Sequence, residues 1–343
     1  MGEKLCKDKE KTRILEKIKQ EDEHLKKILR IQTVTDFNRF NQSGFIADLI
    51  NACEALQEKA IFSIADDIAC RKSKDNRLKV VLIAGPSSSG KTTFCKRLRI
   101  ALMTDEIWPM SLSLDDYFVD REKTPLDEYG NYDFETIEAL DLPFLNEQLS
   151  NLLAGKEIDV PRFNFKTGHR EFTGGKLQLP DNAILIMEGI HALNPLLTAQ
   201  IPDDCKFHVY VAPLTGICLD ETTSIPTADN RLLRRILRDY QFRGYSAQQT
   251  ISQWASVQKG ERRWITPFID KADAMFNSSQ IFELAVIRNF VLPILQQVPT
   301  DALEYVDARR LIGFISQIDA VCDKDLPSNS LLREFIGGSN FHY

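Results

Sequence analysis

One eight-residue segment limits the fold of this chain more than any other feature. The run GPSSSGKT at residues 85–92 matches the phosphate-loop pattern G-x-x-x-x-G-K-[ST] at every fixed position. A buried apolar strand is predicted just before it, and an amphipathic helix just after it. The glycines allow the turn that brings backbone N–H groups onto phosphate oxygens, and the helix N-terminus adds its positive dipole end. This order predicts a nucleoside triphosphate site in an α/β protein.

Each part of this loop has an expected role. Lys91 would bring a mobile positive charge to the β- and γ-phosphates, and the hydroxyl of Thr92 would ligate Mg²⁺. The predicted nucleotide-binding residues are Gly85, Pro86, Ser87, Ser88, Ser89, Gly90, Lys91, Thr92 and Thr93.

The surrounding sequence favours one reaction class among P-loop proteins. The chain has no N-K-x-D segment of the kind that reads guanine, which disfavours a GTPase. Motor and remodelling ATPases usually need a larger core with extra catalytic elements. A compact P-loop domain with carboxylate-tipped strands and a basic helix fits a small-molecule kinase, with ATP and Mg²⁺ as cofactors.

Short apolar runs with helical segments between them predict a parallel sheet covered on both faces. They lie at residues 80–84, 111–114, 183–187 and 207–211. A turn-rich stretch at 158–180 predicts an inserted β-hairpin on the acceptor side. The expected fold is therefore an α/β, three-layer P-loop sandwich.

Acidic residues follow two of these strands, at the sheet edge where ligands bind. Asp115 is predicted to take the proton of an attacking hydroxyl, while Asp116 points elsewhere if the strand alternation persists. Glu188 is predicted to hold Mg²⁺ directly or through water. The alternatives are a capping or turn pair at 115–116 and a strand-end acid without a metal at 188.

Residues 230–244 form a predicted arginine-rich lid helix that ends at Gly244. Arg231, Arg235 and Arg238 share one face, where guanidinium groups would stabilise a transferring phosphoryl group. Arg235 and Arg238 are the predicted catalytic pair. The alternatives are a solvated helix with ion pairs and a nucleic-acid recognition helix, the latter disfavoured because no wider basic field accompanies it.

The chain before the loop divides into two predicted helical parts. Residues 1–31 are rich in Lys and Glu, with apolar residues at helical spacing, and predict a charged amphipathic helix. It either packs on the body or forms a partner-binding arm. Residues 32–75 form a second segment, with a helix over roughly 45–70, and residues 76–343 are assigned to the kinase domain.

Composition and charge argue against several classes of partner and several cellular locations. The net charge of −6 argues against general binding to nucleic acid or anionic membranes. No apolar run approaches a membrane span, and the N-terminus lacks the apolar region of a secretory signal. Seven scattered cysteines without a C-x-x-C pair predict free thiols in a reducing cytosol. We expect a cytoplasmic homo-oligomer.

The order of the motifs resembles the uridine kinase/phosphoribulokinase family. The resemblance covers about residues 76–320 and is closest to a bacterial-type uridine (nucleoside) kinase branch. Members of that branch often carry a threonyl-tRNA-synthetase-like N-terminal region, which we expect to be absent here. The motifs are the phosphate loop, SLDDYF at 113–118, NYDF at 131–134, PRFNF at 161–165, EG at 188–189 and the arginine helix.

This resemblance implies ATP-dependent phosphorylation of the 5′-hydroxyl of a nucleoside. It places Asp115 at the catalytic base, Glu188 at the Mg²⁺-associated acid and Asp133 at the carboxylate that holds the ribose. Arg235, Arg238 and Arg243 fall on the lid and acceptor-side arginines. The resemblance therefore implies a small nucleoside-like acceptor.

Departures from the family pattern fall on the acceptor side. Phe163 replaces a base-reading Tyr, Gly168 replaces a base-reading His with His169 one residue later, and Tyr245 replaces a lid Arg. We therefore expect intact phosphoryl transfer but a base pocket that is not a standard uridine or cytidine reader. Two alternatives stay open: a kinase of a sugar phosphate or pantothenate-like alcohol, and an ATP-binding regulatory protein without turnover.

Overall fold

A computed structural model describes residues 23–128, 130–165 and 167–342 of the chain. Most of the charged helix predicted over residues 1–31 lies outside these ranges, and its described part is helical over 23–29. Within the described ranges, no helix has both the length and the apolar character needed to cross a membrane.

A parallel sheet forms the centre of the fold. Five strands lie in the order β2-β5-β1-β6-β7, and β3 and β4 form a separate antiparallel hairpin. The four strands predicted for the sheet are present, and the edge strand β7 is an addition. The strands are β1 (Val80–Ala84), β2 (Trp108–Ser113), β3 (Ile158–Asn164), β4 (His169–Leu177), β5 (Ala183–Glu188), β6 (Lys206–Ala212) and β7 (Ala274–Asn277).

The α-helices cover both faces of this sheet. The long second helix runs past the end predicted near residue 70 and stops at Asn76, which has a left-handed φ of 52°. The helices are α1 (Val34–Gln42), α2 (Ile46–Asp75), α3 (Lys91–Thr104), α4 (Leu142–Leu153), α5 (Thr227–Arg238), α6 (Ala247–Trp264), α7 (Glu283–Leu295), α8 (Tyr305–Ile315) and α9 (Arg333–Ile336).

Alternation along the strands divides the interior into two cores. Val81 and Ile83 of β1 face a core shared with α2, α3, α5 and α7. Val80 and Leu82 face a second core, which contains buried residues of α4 and of the hairpin. A sheet between two helix-bearing layers is the three-layer α/β fold that the sequence predicted. The division at residue 75 stays a prediction.

Candidate active site

The phosphate loop begins directly after β1, at a position where only glycine fits. A Cβ on Gly85 would lie 2.1 Å from the carbonyl oxygen of Val211 in β6. Gly90 has a φ of 84° and is the N-cap of α3, but it has no side chain to cap the helix. Ser88 also has a left-handed φ, of 59°. The loop therefore wraps around the start of α3, where backbone N–H groups lack intrahelical partners.

The polar groups of this loop favour the binding of an anion. Lys91 Nζ donates to the carbonyl oxygen of Pro86 at 3.2 Å. The buried hydroxyls of Ser88 and Ser89 have no hydrogen-bond partner among the described residues. Burial lowers the pKa of Lys91, whereas the negative charges of nearby carboxylates raise it. A positive charge beside unsatisfied hydroxyls can bind phosphate oxygens.

Two strand ends bring carboxylates to the loop. Glu188 ends β5, between β1 and β2, and its Oε1 accepts from Thr92 Oγ1 and from Ser113 Oγ, both at 3.4 Å. Asp115 follows β2 in a 3₁₀ turn. Burial, together with the charge of Asp115, raises the pKa of Glu188 to about 7. The sheet order therefore places both acids beside Lys91 and Thr92.

Asp116 has different partners from Asp115. Its Oδ1 accepts from the backbone N–H of Phe163 at 3.1 Å, and its Oδ2 lies 3.9 Å from the guanidinium of Arg162. Burial raises the pKa of Asp116, and the hydrogen bond from Phe163 lowers it. Asp116 thus ties the hairpin to the end of β2.

Three arginines of α5 meet at one residue of the loop. Arg231 Nε donates to the carbonyl oxygen of Ser87 at 3.1 Å. The side chains of Arg235 and Arg238 donate to Ser87 Oγ, at 2.9 Å and 3.4 Å. The arginine helix therefore lies across the phosphate loop, as a lid would.

The end of this lid helix differs from the prediction in one respect. The α-helical part stops at Arg238, and residues Asp239–Arg243 form a π-helical turn that Gly244 closes with a φ of 75°. Buried Asp239 accepts from Arg235 at 3.2 Å and from Arg243 at 3.3 Å. The turn thus lets one carboxylate orient two arginines.

Arg234 has its main partner outside this cluster. It is fully buried, pairs with Glu283 of α7 and donates to the backbone oxygen of Ser278 at 2.9 Å. Burial and the nearby charge of Arg243 lower the pKa of Arg238 to about 10, so Arg238 stays charged at neutral pH. Arg234 fixes the helix to α7 and also reaches the carbonyl oxygen of Ser88, whereas Arg231, Arg235 and Arg238 contact Ser87.

The hairpin presents an aromatic wall. Buried Phe163 packs against Phe118 and Phe165, with ring centroids 5.6 Å and 5.1 Å apart. Phe134 adds an edge contact to Phe118 at 6.0 Å. Arg243 lies 5.9 Å from the ring centre of Phe165. This wall can stack on a flat or apolar group.

The turn of the hairpin places the expected base-reading positions differently. Gly168 has a φ of 80°, and a Cβ there would lie 2.8 Å from the side chain of Arg121. His169 is exposed, with Nδ1 3.5 Å from Asp120 and Nε2 3.9 Å from Glu122. Arg121 therefore leaves no room for a side chain at 168, and His169 lies beside surface acids.

Sequence reasoning missed an acid on the acceptor side. Asp133 accepts from the backbone N–H of Glu135 at 3.0 Å, a local turn contact. Glu135 is half-buried, and its charge interacts with those of Arg235 and Lys91. Burial raises the pKa of Glu135 to about 7 despite these cations. Glu135 directly follows the NYDF motif and lies two residues after Asp133. This pair of acids was the signal that the sequence offered.

Helix α6 makes room for this acid. A Cβ on Gly260 would lie 2.3 Å from the Cβ of Glu135, so α6 can approach only with glycine at that position. In the same helix, Glu261 accepts from Arg231 at 2.6 Å. Packing of α6 therefore positions both Glu135 and one of the lid arginines.

Comparison with known proteins places this site in a family context. The model of the phosphoribulokinase/uridine kinase family matches residues 80–285. A uridine kinase from Ureaplasma urealyticum is 29% identical over 178 residues, which are 52% of this chain and 77% of that protein. A uridine kinase from Deinococcus deserti is 30% identical over 175 residues, 51% of this chain and 75% of that protein. A solved D-glycerate 3-kinase from Cryptococcus neoformans is 15% identical, with a TM-score of 0.46, covering 64% of this chain and 92% of its own.

Proposed function

Because the chain belongs to the phosphoribulokinase/uridine kinase family and is a phosphotransferase with an alcohol acceptor, we propose that it transfers the γ-phosphoryl group of ATP to the 5′-hydroxyl of a nucleoside. One observation carries this proposal. Arg231, Arg235 and Arg238 converge on Ser87 of the phosphate loop, whose Lys91 lies beside two strand-end carboxylates. Such an arrangement suits the transfer of a charged group.

Mg²⁺ fits the donors near the loop. Thr92 and Glu188 offer a hydroxyl and a carboxylate, which are the hard oxygen ligands this ion prefers. The described residues hold no cluster of three His, Cys, Asp or Glu side chains that could bind a metal. When bound, Mg²⁺ neutralises charge on the phosphate oxygens.

In the proposed reaction the acceptor hydroxyl oxygen bonds to the γ-phosphorus, and the bond from phosphorus to the β–γ bridging oxygen breaks. Asp115 takes the hydroxyl proton during the attack. Lys91, Arg235 and Arg238 offset the negative charge of the transferring group. The arginine helix across the loop would exclude water, which otherwise competes with the alcohol.

The acceptor side supports a ring-bearing alcohol with hydroxyls at its other end. We assign the ribose hydroxyls to Glu135 together with Asp133, because Glu135 lies among the cations that act on the phosphates. Phe163 would stack on the base and Arg243 would close over it. None of the wall phenylalanines can hydrogen-bond to a base, so selectivity among bases should be weak.

Cellular setting and assembly are part of the proposal. Among the described residues, none of the six cysteines forms a disulfide. We propose a cytoplasmic location, as predicted from the sequence. We expect a homo-oligomer, as predicted from the sequence. Sedimentation velocity at two protein concentrations tests the assembly, and a monomer at both would contradict it.

The acceptor is tested by ADP release with a panel of alcohols. The panel contains uridine, cytidine, adenosine, guanosine and inosine, their 2′-deoxy forms, a pentose phosphate and pantothenate. We expect several nucleosides to react, with kcat/KM values within about 10–200-fold of one another. A strict preference for uridine and cytidine that survives His169→Ala would contradict the weak base reading. If only the sugar phosphate or pantothenate reacts, the acceptor is that alcohol and not a nucleoside. ATP binding without turnover of any acceptor would indicate a regulatory protein.

A further inference from the structure

The segment 330–338, which contains α9, packs against the phosphate loop. Leu331 fills the space beside the loop, because a Cβ on Gly90 would lie 2.5 Å from Leu331 Cδ2. Phe335 and Ile336 of the same segment are buried in the core shared with α3. The loop is therefore supported by residues from far along the chain.

The contact of this segment that bears on the site is with the first turn of α3. Glu334 Oε2 accepts from the backbone N–H of Thr93 at 3.2 Å and from its hydroxyl at 2.7 Å. Thr93 is the third residue of α3, and its N–H is one that a capping side chain normally satisfies. Gly90, the N-cap, cannot do this. Glu334 thus supplies the missing cap from another part of the chain.

Both sides of the segment are anchored to the same loop and helix. Ser330 Oγ donates to Glu54 of α2, which pairs with Arg97 of α3 at 3.3 Å. Phe335 lies 5.0 Å from the guanidinium of Arg234, whose Nη1 donates to the carbonyl oxygen of Ser88 at 3.5 Å. These contacts on both sides of Glu334 hold its carboxylate beside the first turn of α3.

A negative charge at this place opposes the binding of phosphate unless it organises groups that attract phosphate. The carboxylate of Glu334 accepts two hydrogen bonds from Thr93, two residues after Lys91. The fixed turn contains Lys91 and the hydroxyl of Thr92. The geometry is therefore that of a support behind the site.

We propose that Glu334 is a positioning residue for the phosphate loop, acting through Thr93, and that segment 330–338 is part of the triphosphate site. This inference rests on the proposed use of ATP. Loss of the cap loosens the first turn of α3 and weakens nucleotide binding. Chemistry in the saturated enzyme then proceeds at nearly the normal rate, because Asp115, Lys91 and the lid arginines are unchanged.

The test compares Glu334→Ala and Glu334→Gln in the full chain. Glutamine keeps an oxygen at the position that accepts from Thr93, whereas alanine has none. Isothermal titration of Mg·ADP gives Kd, and steady-state kinetics give kcat and the KM for ATP and for the acceptor. Asp325→Asn, an exposed acid of the same region, controls for loss of a negative charge. Thr93→Val removes the hydroxyl partner.

We expect Glu334→Ala to raise Kd for Mg·ADP and KM for ATP by about 3- to 30-fold, the range for loss of a helix cap. The kcat should change less than the KM for ATP, the KM for the acceptor should not move, and Glu334→Gln should restore most of the affinity. Thr93→Val and Glu334→Ala combined should be less than additive, because both break one contact. A general loss of stability would not raise the KM for ATP while leaving kcat and the KM for the acceptor nearly unchanged.

Several results would overturn the inference. Wild-type affinity in Glu334→Ala, or equal defects in the alanine and glutamine variants, would exclude the cap. If Glu334→Ala does not fold, Glu334→Met replaces it, because methionine keeps the size of the side chain without an oxygen that accepts from Thr93. Wild-type nucleotide affinity in Glu334→Met would exclude the cap. Wild-type protein that does not bind Mg·ADP would overturn the proposed use of ATP as well, so the two failures are distinguishable.

Discussion

Thr92 and Glu188 are joined by a hydrogen bond of 3.4 Å although 96 residues separate them in the chain. Thr92 lies in the first turn of α3, directly after the phosphate loop, and Glu188 ends β5. The parallel pairing of β5 with β1, in which Ile83 pairs with Glu188, brings them together. On the proposed function, Thr92 and Glu188 are the residues that would hold Mg²⁺ here.

Glu188→Gln is expected to increase the Mg²⁺ concentration needed for half-maximal turnover by about 10–100-fold. The amide has no negative charge to attract the ion, whether the ion binds directly or through water. A Mg²⁺ titration at fixed ATP measures this change. Glu138→Gln, at an exposed glutamate, is the matched control. Equal Mg²⁺ requirements in wild type and Glu188→Gln would remove Glu188 from the metal site.

Lys91→Ala is expected to lower kcat by about 10²–10³, because its charge follows the phosphoryl group into the transition state. The protein should stay folded, since the hydrogen bond of Lys91 Nζ is to the loop carbonyl of Pro86 and not to a group in the core. Turnover at saturating ATP and a thermal unfolding curve give the two readouts. Full turnover in this variant would end the kinase proposal.

Asp115→Asn is expected to lower kcat by about 10²–10⁴, since an amide cannot take the hydroxyl proton. ATP affinity should be nearly retained. Asp116→Asn should be milder, because its amide oxygen can still accept from the N–H of Phe163. Parallel kcat measurements on the two variants decide the assignment. The reverse order of effects would make Asp116 the base.

Much of the fold was predictable because the central strands are buried on both faces. Strands β1, β5 and β6 appear in the sequence as continuous apolar runs, which is typical of a covered parallel sheet. Strand β7 was missed, since Ala274–Asn277 has only four residues and alternates in burial at the sheet edge. Such a short segment becomes a strand through its pairing with β6.

Gly260→Ala is expected to displace Glu135, because the new methyl group would lie 2.3 Å from the Cβ of that acid. The kcat/KM for the acceptor should fall by about 10–100-fold, and the free energy of unfolding by about 1–3 kcal/mol. Gly313→Ala in α8 is the matched control, since nothing lies within 4 Å of its added Cβ. That variant should be as stable as wild type or more stable by up to about 1 kcal/mol. Similar kinetics for both alanine variants would exclude Glu135 from the acceptor site.

The stability of the ligand-free protein should fall as pH rises through the range set by Glu135. Its pKa is raised from 4.5 to about 7, mainly by burial, so the folded protein keeps a proton that the unfolded chain has lost. Arg235, Lys91 and Arg231 oppose this increase and Asp133 adds to it. The stabilising contribution is complete below pH 4.5 and is lost as pH passes 7. Glu135→Gln should reduce this decline by on the order of 1–2 kcal/mol.

Urea unfolding of both proteins at pH 4.5, 6 and 8 measures the difference. The comparison depends on the slope with pH, which an unrelated loss of packing in the variant would not change. Parallel pH profiles for wild type and Glu135→Gln would contradict the raised pKa.

The candidate site was predictable where a residue follows a strand or belongs to the phosphate loop. Glu188 ends the buried strand β5 and Asp115 follows β2, so their positions could be predicted from the sequence. Glu135 and Glu334 could not, because Gly260 of α6 and Thr93 of α3 set their surroundings, and both are distant in sequence. The surroundings of such residues depend on how distant elements pack together, and this packing leaves no local pattern in a single sequence.

The contact between Thr93 and Glu334 also sets the order in which the protein becomes competent during synthesis. The two residues are 241 positions apart, so at typical translation rates roughly 10–50 s separate their addition to the chain. The central sheet can assemble in that interval, since its last strand, β7, ends at Asn277. On the proposed role of Glu334, a nascent chain at that point has its phosphate loop but not the support that holds it. Nucleotide affinity would then mature only after the fold is largely in place.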